Sequence, residues 1–346
     1  MNHITFSTRL FRFTALVALV LLGFTACQKE SITPKELQPG PDNGLVSDRS
    51  ANTVVDIAIS NPDFSSLVAA VVKTGQANLL SRANLNATVF APNNAAFAQL
   101  PAPFNNAANI SNISNQLTIN TLRQIIRYHL VPGKRTAAQL TNGSYNTLKT
   151  SATPNDNRIY VGRTAADEVY INGVSKVIAA DIQASNGTIH VIDKVLSFPT
   201  QDIGQVAIAN GNFTALVAAL KKTGLANTFL QPIGDLTVFA PTDAAFAQLP
   251  APLNNAQNIK NISDQATINT LRRVLLYHVI AARVFSVDLR EGIQPNTLLS
   301  GKKVTITLAN GAQVKGDGNA SASNIIITNI LARNGVIHAI DQVLLP

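Results

Sequence analysis

The chain repeats itself. "FSSLVAAVVKTGQAN" (64–78) returns as "FTALVAALKKTGLAN" (213–227), "TVFAP" (88–92) returns unchanged at 237–241, and "TINTLRQIIRYHL" (118–130) returns as "TINTLRRVLLYHV" (267–279), all offset by 149 residues. A fourth pair, "NGTIHVIDKVL" (186–196) and "NGVIHAIDQVL" (334–344), is offset by 148. Solenoid repeats run to only about 20–45 residues, whereas each unit here is long enough to own a core. The repeat therefore predicts two tandem domains of one fold, over 51–199 and 200–346, joined near "SFPTQD" (197–202) with Pro199 as punctuation.

Hydrophobic spacing gives the elements within a unit. Phe64, Leu67, Val68, Val71 and Val72 recur at helical intervals up to Gly75. Thr88–Ala91 reads as a short strand that Pro92 stops, after which Asn93, or Thr242 in the second unit, is placed to cap a helix. Phe90 and Phe97 are core candidates. Ile119, Leu122, Ile125 and Ile126 mark an amphipathic helix that ends in Tyr128-His129. The last third alternates as strands do: "RIYVGR" (158–163) and "EVYING" (168–173) turn at Asn172-Gly173, and a hairpin is expected at Asn186-Gly187. Helices first and paired strands last predict an α+β class with a mainly antiparallel sheet.

Three blocks taken together carry a resemblance: "TVFAPNNAAF" with "TVFAPTDAAF", the "YH" that ends a helix, and the "NGTIHVIDKVL" and "NGVIHAIDQVL" endings. In this order, twice, they are similar to the fasciclin-like domain. The resemblance covers about 51–198 and 200–346. It implies two tandem fasciclin-like domains, each a compact β-sandwich or wedge with several packed helices. It also implies extracellular adhesion or matrix-interaction modules, and, from animal relatives, a partner-binding role for the "YH" positions Tyr128, His129, Tyr277 and His278.

The N-terminus reads as a targeting segment. Arg9 and Arg12 precede an apolar run, Phe13–Ala26, of signal-peptide length. Cys27 follows, the single cysteine in the chain. Its setting resembles the lipobox of bacterial lipoproteins, with Phe24 where Leu is usual. The resemblance implies a leader over 1–26, lipidation at Cys27 and a membrane anchor. Residues 28–50, polar with three prolines and two glycines, read as a tether. The expected location is the bacterial cell envelope, at the outer membrane.

The formal charge is +8, and loss of the leader's two arginines leaves 25 basic against 19 acidic residues, or +6. The basic pairs Lys221-Lys222, Arg272-Arg273 and Lys302-Lys303 lie apart in the sequence with no interleaved aromatic stripe. That excludes the usual footprint of nucleic-acid binding and leaves a mild attraction to anionic surfaces or polymers.

Candidate chemistry centres on histidine. Four of the five form two equivalent pairs, His129 with His190 and His278 with His338. Zinc sites need three or four ligands, and neither a HExxH nor a second cysteine is present. His190 and Asp193 are three apart on an expected strand, hence on opposite faces. GxSxG, a Walker loop and a dinucleotide fingerprint are all missing, and "KGDGNAS" (315–321) reads as a loop. The expectation is therefore no catalytic residue, no metal and no cofactor, with an unidentified protein or polysaccharide as partner. A structural envelope spacer is the alternative, and a hydrolase with a histidine-containing cleft the third reading.

Overall fold

The computed structural model describes residues 52–151, 153, 155–230 and 234–346. The leader, Cys27 and the tether fall outside these residues.

The first domain opens with α1 (Val54–Ser60), α2 (Ser65–Lys73) and α3 (Ala77–Leu80), followed by β1 (Ala87–Pro92), α4 (Asn94–Ala98), α5 (Ala107–Ser111) and α6 (Gln116–Tyr128). Strands β2 (Leu130–Pro132), β3 (Gly143–Asn146), β4 (Arg158–Arg163), β5 (Val169–Ile171), β6 (Ser175–Ala184) and β7 (Gly187–Ile192) complete it. The second domain repeats the plan: α7 (Ile203–Ala209), α8 (Thr214–Lys222), α9 (Ala226–Leu230), β8 (Leu236–Pro241), α10 (Asp243–Phe246), α11 (Ala256–Asn261) and α12 (Gln265–Tyr277), then β9 (Val279–Ile280), β10 (Thr305–Thr307), β11 (Gln313–Lys315), β12 (Ser323–Ala332) and β13 (Gly335–Ile340).

The strand orders are β2-β1-β7-β6-β5-β4-β3 and β10-β11-β12-β13-β8-β9. All pairings are antiparallel except one per domain, β1 with β7 and β8 with β13. These parallel strands lie inside the sheet, one strand in from the edge formed by β2 or β9, and every residue of the four is buried, as expected for strands covered on both faces. Period-two alternation sorts their side chains. Val89, Ala91, Ile189 and Val191 join the helices in one core, while Phe90 and Ile192 join Ile159, Val161 and Ile171 in a second. Since β4 and β5 lie far from β1 in the strand order, sharing a core means that the sheet folds back over itself. The outcome is a wedge with helices on one side.

The local rules behave as the residues predict. Asn93 Oδ1 accepts the Ala96 N–H at 2.9 Å, and Thr242 Oγ1 accepts that of Ala245 at 3.2 Å. Gly75, at φ +67°, follows α2 where a side chain would be strained. Asn172 and Gly173, at φ +53° and +69°, form the tight turn between β5 and β6. One expectation is corrected: Pro92 does not stop the pairing of β1 but stands inside it, opposite Ile192. Phe90 N–H donates to His129 O, so the missing donor two residues later points to the same side. There β2 already ends, its pairing with β1 stopping at Val89, and no ladder bond is lost.

The join between the domains is held at several points. Within the second domain, just after the join, Asp202 caps α7 and pairs with Arg333 at 2.7 Å. Tyr160 of β4 stacks on Phe285 with centroids 5.8 Å apart and lies under the Arg283 guanidinium at 4.3 Å. Arg283 is itself held within the second domain by Asp235 at 2.8 Å, and across the join Asn329 Nδ2 donates to Gly173 O at 2.8 Å. Arg283, Phe285 and Asn329 stand where the first unit has Lys134, Thr136 and Asp181, so the residues that differ between the copies make this contact.

Candidate functional site

The "YH" corner is built by the end of α6 and the start of β2. Tyr128 points into the second core, where its hydroxyl donates to Arg158 O at 2.6 Å and accepts from Asn172 Nδ2 at 3.1 Å. Tyr277 is its counterpart, donating to Lys303 O at 2.5 Å and accepting the Asp317 N–H at 3.0 Å. Burial pushes both phenols above their ordinary range. "KGDGNAS" is indeed a loop over most of its length, and it supplies that Asp317 donor.

Each of the four described histidines is fully employed. His129 Nδ1 lies 2.8 Å from Ile125 O, and its Nε2 accepts the Leu196 N–H at 2.9 Å. His278 does the same with Val274 O at 2.7 Å and Leu344 N at 2.9 Å. A carbonyl on one nitrogen and an N–H on the other fix a neutral ring with the proton on Nδ1. His190 and His338 take the opposite tautomer. Their Nε2 atoms meet Arg135 O and Val284 O, both at 2.9 Å, and their Nδ1 atoms accept from Asp181 N and Asn329 N. Burial lowers the pKa of all four, to about 4 for His129 and His278. No ring nitrogen is left for a metal or a nucleophile. Asp193 instead accepts the Lys176 N–H, away from His190. Among the described residues, no group of three or more His, Cys, Asp or Glu could hold a metal ion.

Tyr128, His129, Tyr277 and His278 are all buried. The "YH" block thus offers a partner no side-chain surface of its own; it anchors the last turn of α6 or α12 to the strands that follow.

Two kinds of residue escaped sequence reasoning. Asn186, expected only as a hairpin turn former, and its counterpart Asn334 each tie three elements together. Asn186 Oδ1 accepts the Val54 N–H that begins α1, while its Nδ2 donates to Leu80 O and Arg82 O at the end of α3. Asn334 serves Ile203 N and Phe229 O in the same way. Their exact recurrence before glycine was the available signal. The second kind is a surface. Basic residues scattered in sequence gather on the helical face of the second domain, where α8 packs against α11 and α12. Lys222 Nζ donates to Lys260 O at 3.1 Å. Arg272 occupies the position of Arg123, which in the first domain reaches Thr74 O at the end of α2. Lys221, Lys260, Arg272 and Arg273 are exposed, and none forms an ion pair among the described residues. The first domain has Val72, Ser111, Arg123 and Gln124 at these positions.

The architecture is that of a tandem of α+β modules with enclosed motifs and open surfaces. The family model described as "Fasciclin domain" matches residues 62–199 and 211–346, and the chain belongs to the fasciclin family. It is similar to transforming growth factor-beta-induced protein ig-h3 of Sus scrofa, 32% identical over 259 residues, covering 75% of this chain and 34% of that protein. It is also similar to Protein sll1483 of Synechocystis sp., 36% identical over 196 residues, covering 56% of this chain and 98% of that protein. The chain thus spans about a third of the length of the ig-h3 relative. Among solved structures, a FAS1 domain pair from the insect cell adhesion molecule Fasciclin I aligns at 20% identity and a TM-score of 0.40, over 83% of this chain and 98% of that one. Fasciclin domains are modules of the adhesion or binding type.

Proposed function

We propose that this protein is a cell-envelope lipoprotein, held through Cys27, whose paired fasciclin domains bind an acidic polysaccharide at the cell surface or in the periplasm. The basic face of the second domain carries this reading. Its cations are exposed and concentrated on one side, and such a patch attracts a polyanion without requiring a pocket. The enclosed histidines support binding over hydrolysis, because all four are buried with both ring nitrogens hydrogen-bonded to backbone. Tyr277 and His278 serve the surface indirectly, by fixing the end of α12, the helix that carries Arg272 and Arg273.

Purified protein should bind immobilised alginate but not neutral dextran at about 0.15 M salt, where exposed charges more than ~8 Å apart are screened and only a concentrated patch retains its pull. The triple variant Lys221→Glu, Lys260→Glu, Arg272→Glu should lose at least about tenfold in affinity, equivalent to ~1.4 kcal/mol. Equal retention on dextran, or no loss in the variant, would contradict the proposal. Separately, Cys27→Ser should move the protein from the membrane pellet to the soluble fraction, and a variant that stays in the pellet would refute the anchor.

A further inference from the structure

The two domains differ in how well their helical cores are filled. In the first, a cavity of about 80 Å³ lies between α1, α2 and the strands β1 and β7. Its counterpart in the second domain is about 20 Å³. The repeat explains the difference. Val71 and Leu80 line the larger cavity, and the second unit places Leu220 and Phe229 at the same positions, where they line the smaller one. The same fold is therefore able to fill this space, and the first copy leaves it open.

The lining of the larger cavity is apolar apart from His129, whose ring nitrogens are both bonded elsewhere. A site without free polar groups does not hold water well; apolar cavities stay dry and take apolar guests, as an engineered cavity of about 150 Å³ takes benzene or xenon. The cavity also reaches the surface. Ile59 and Val72 belong to its lining and are 63% and 65% exposed. The second unit keeps an exposed isoleucine, Ile208, at the position of Ile59 but has Lys221 at the position of Val72, so the open interior goes with a wholly apolar mouth and the filled interior with a partly charged one.

We infer that the first domain binds the end of a single unbranched alkyl chain, inserted between α1 and α2, with the polar head left in water beyond Ile59 and Val72. The volume of about 80 Å³ admits only a few carbons, which favours the end of a slim chain over a bulky ring-bearing guest. Recognition rests on the tail, so the charge of the head is secondary. This inference is independent of the envelope reading and of the basic face.

The test is a methyl NMR titration of the full mature chain with octan-1-ol and, separately, octanoate. Methyl signals of Val71, Leu80, Ile126 and Ile189 should shift saturably with both probes, while those of Leu220 and Ile337 in the second domain stay in place. The double variant Val71→Leu, Leu80→Phe imports the second unit's filling residues. It should melt no lower than the parent and bind at least about tenfold more weakly. A mouth variant, Val72→Lys, should weaken binding without touching the core. Absence of a saturable shift up to the solubility limit of octanol would overturn the inference, as would undiminished binding by a folded double variant.

Discussion

Gly335→Ala is expected to unfold the second domain or leave it severely destabilised, while the first domain keeps its fold. A Cβ at Gly335 would lie 2.2 Å from Leu236 O and 2.6 Å from Ile203 Cδ1. The first of these is backbone, in the strand that pairs in parallel with β13, so it cannot swing aside as a flexible side chain would. Relief requires β8 and β13 to separate where Asn334 also holds the start of α7. Overpacking of this kind costs about 3 kcal/mol or more, a large part of an ordinary domain's stability. Gly187→Ala makes the internal comparison. There the nearest atoms, Ala87 O and Val54 Cγ1, are both at 2.8 Å, so the loss should be smaller. Urea unfolding of both variants, followed by far-UV circular dichroism, measures the ordering.

Acid should weaken both domains in a range where carboxylates are still ionised. His129 and His278 have folded pKa values near 4 because burial opposes the charged ring, against about 6.5 in an unfolded chain. Between these values the unfolded state binds more protons, so stability falls as pH falls, beginning below about 6.5 and complete near 4. At pH 5 the loss is ~2 kcal/mol for each of the two. His190 and His338 shift the same way and add to it. Asp156 and Asp264, whose pKa values are lowered, lose their contribution only below the ordinary carboxylate range and do not enter this window. Protonation would also set a second N–H of His129 against the Leu196 N–H, and of His278 against Leu344. Melting temperatures measured from pH 7.5 to 4.5 should stay nearly level down to about pH 6.5 and then fall, and His129→Gln should flatten the curve of the first domain even though it lowers stability at pH 7.

Much of this fold was legible because local chemistry and the repeat agreed. Asn93 and Thr242 are caps in both readings, Gly75 ends its helix, and Asn172-Gly173 forms its turn. What the sequence hid depends on contacts between distant segments. The parallel pairing of β1 with β7 joins residues about 100 positions apart and has no local signature. The irregularities of β6 and β12 against their partners leave Asp181 and Asn329 at φ +63° and +60°, and nothing in an alternating pattern announces an extra residue. The swap from Asp181 to Asn329 was visible as a difference; its use, a bond from Asn329 to Gly173 across the domain join, required both surfaces. The same holds for the basic face, whose members come from three helices. The unequal cavities were written in Val71 and Leu80 against Leu220 and Phe229, but a change of volume acquires meaning only when the space around it is known.

The central claim is that the motifs written twice in this chain are scaffold, and that recognition belongs to the surfaces which differ between the copies. It is tested most directly by long-range nitrogen–proton NMR of the four histidine rings. At pH 7 all four should be neutral, with the proton on Nδ1 in His129 and His278 and on Nε2 in His190 and His338, and His129 and His278 should titrate near pH 4. A ring of His129 or His278 that titrates near 6.5, the value of a solvated histidine, would contradict the account and return the "YH" corner to the list of open sites.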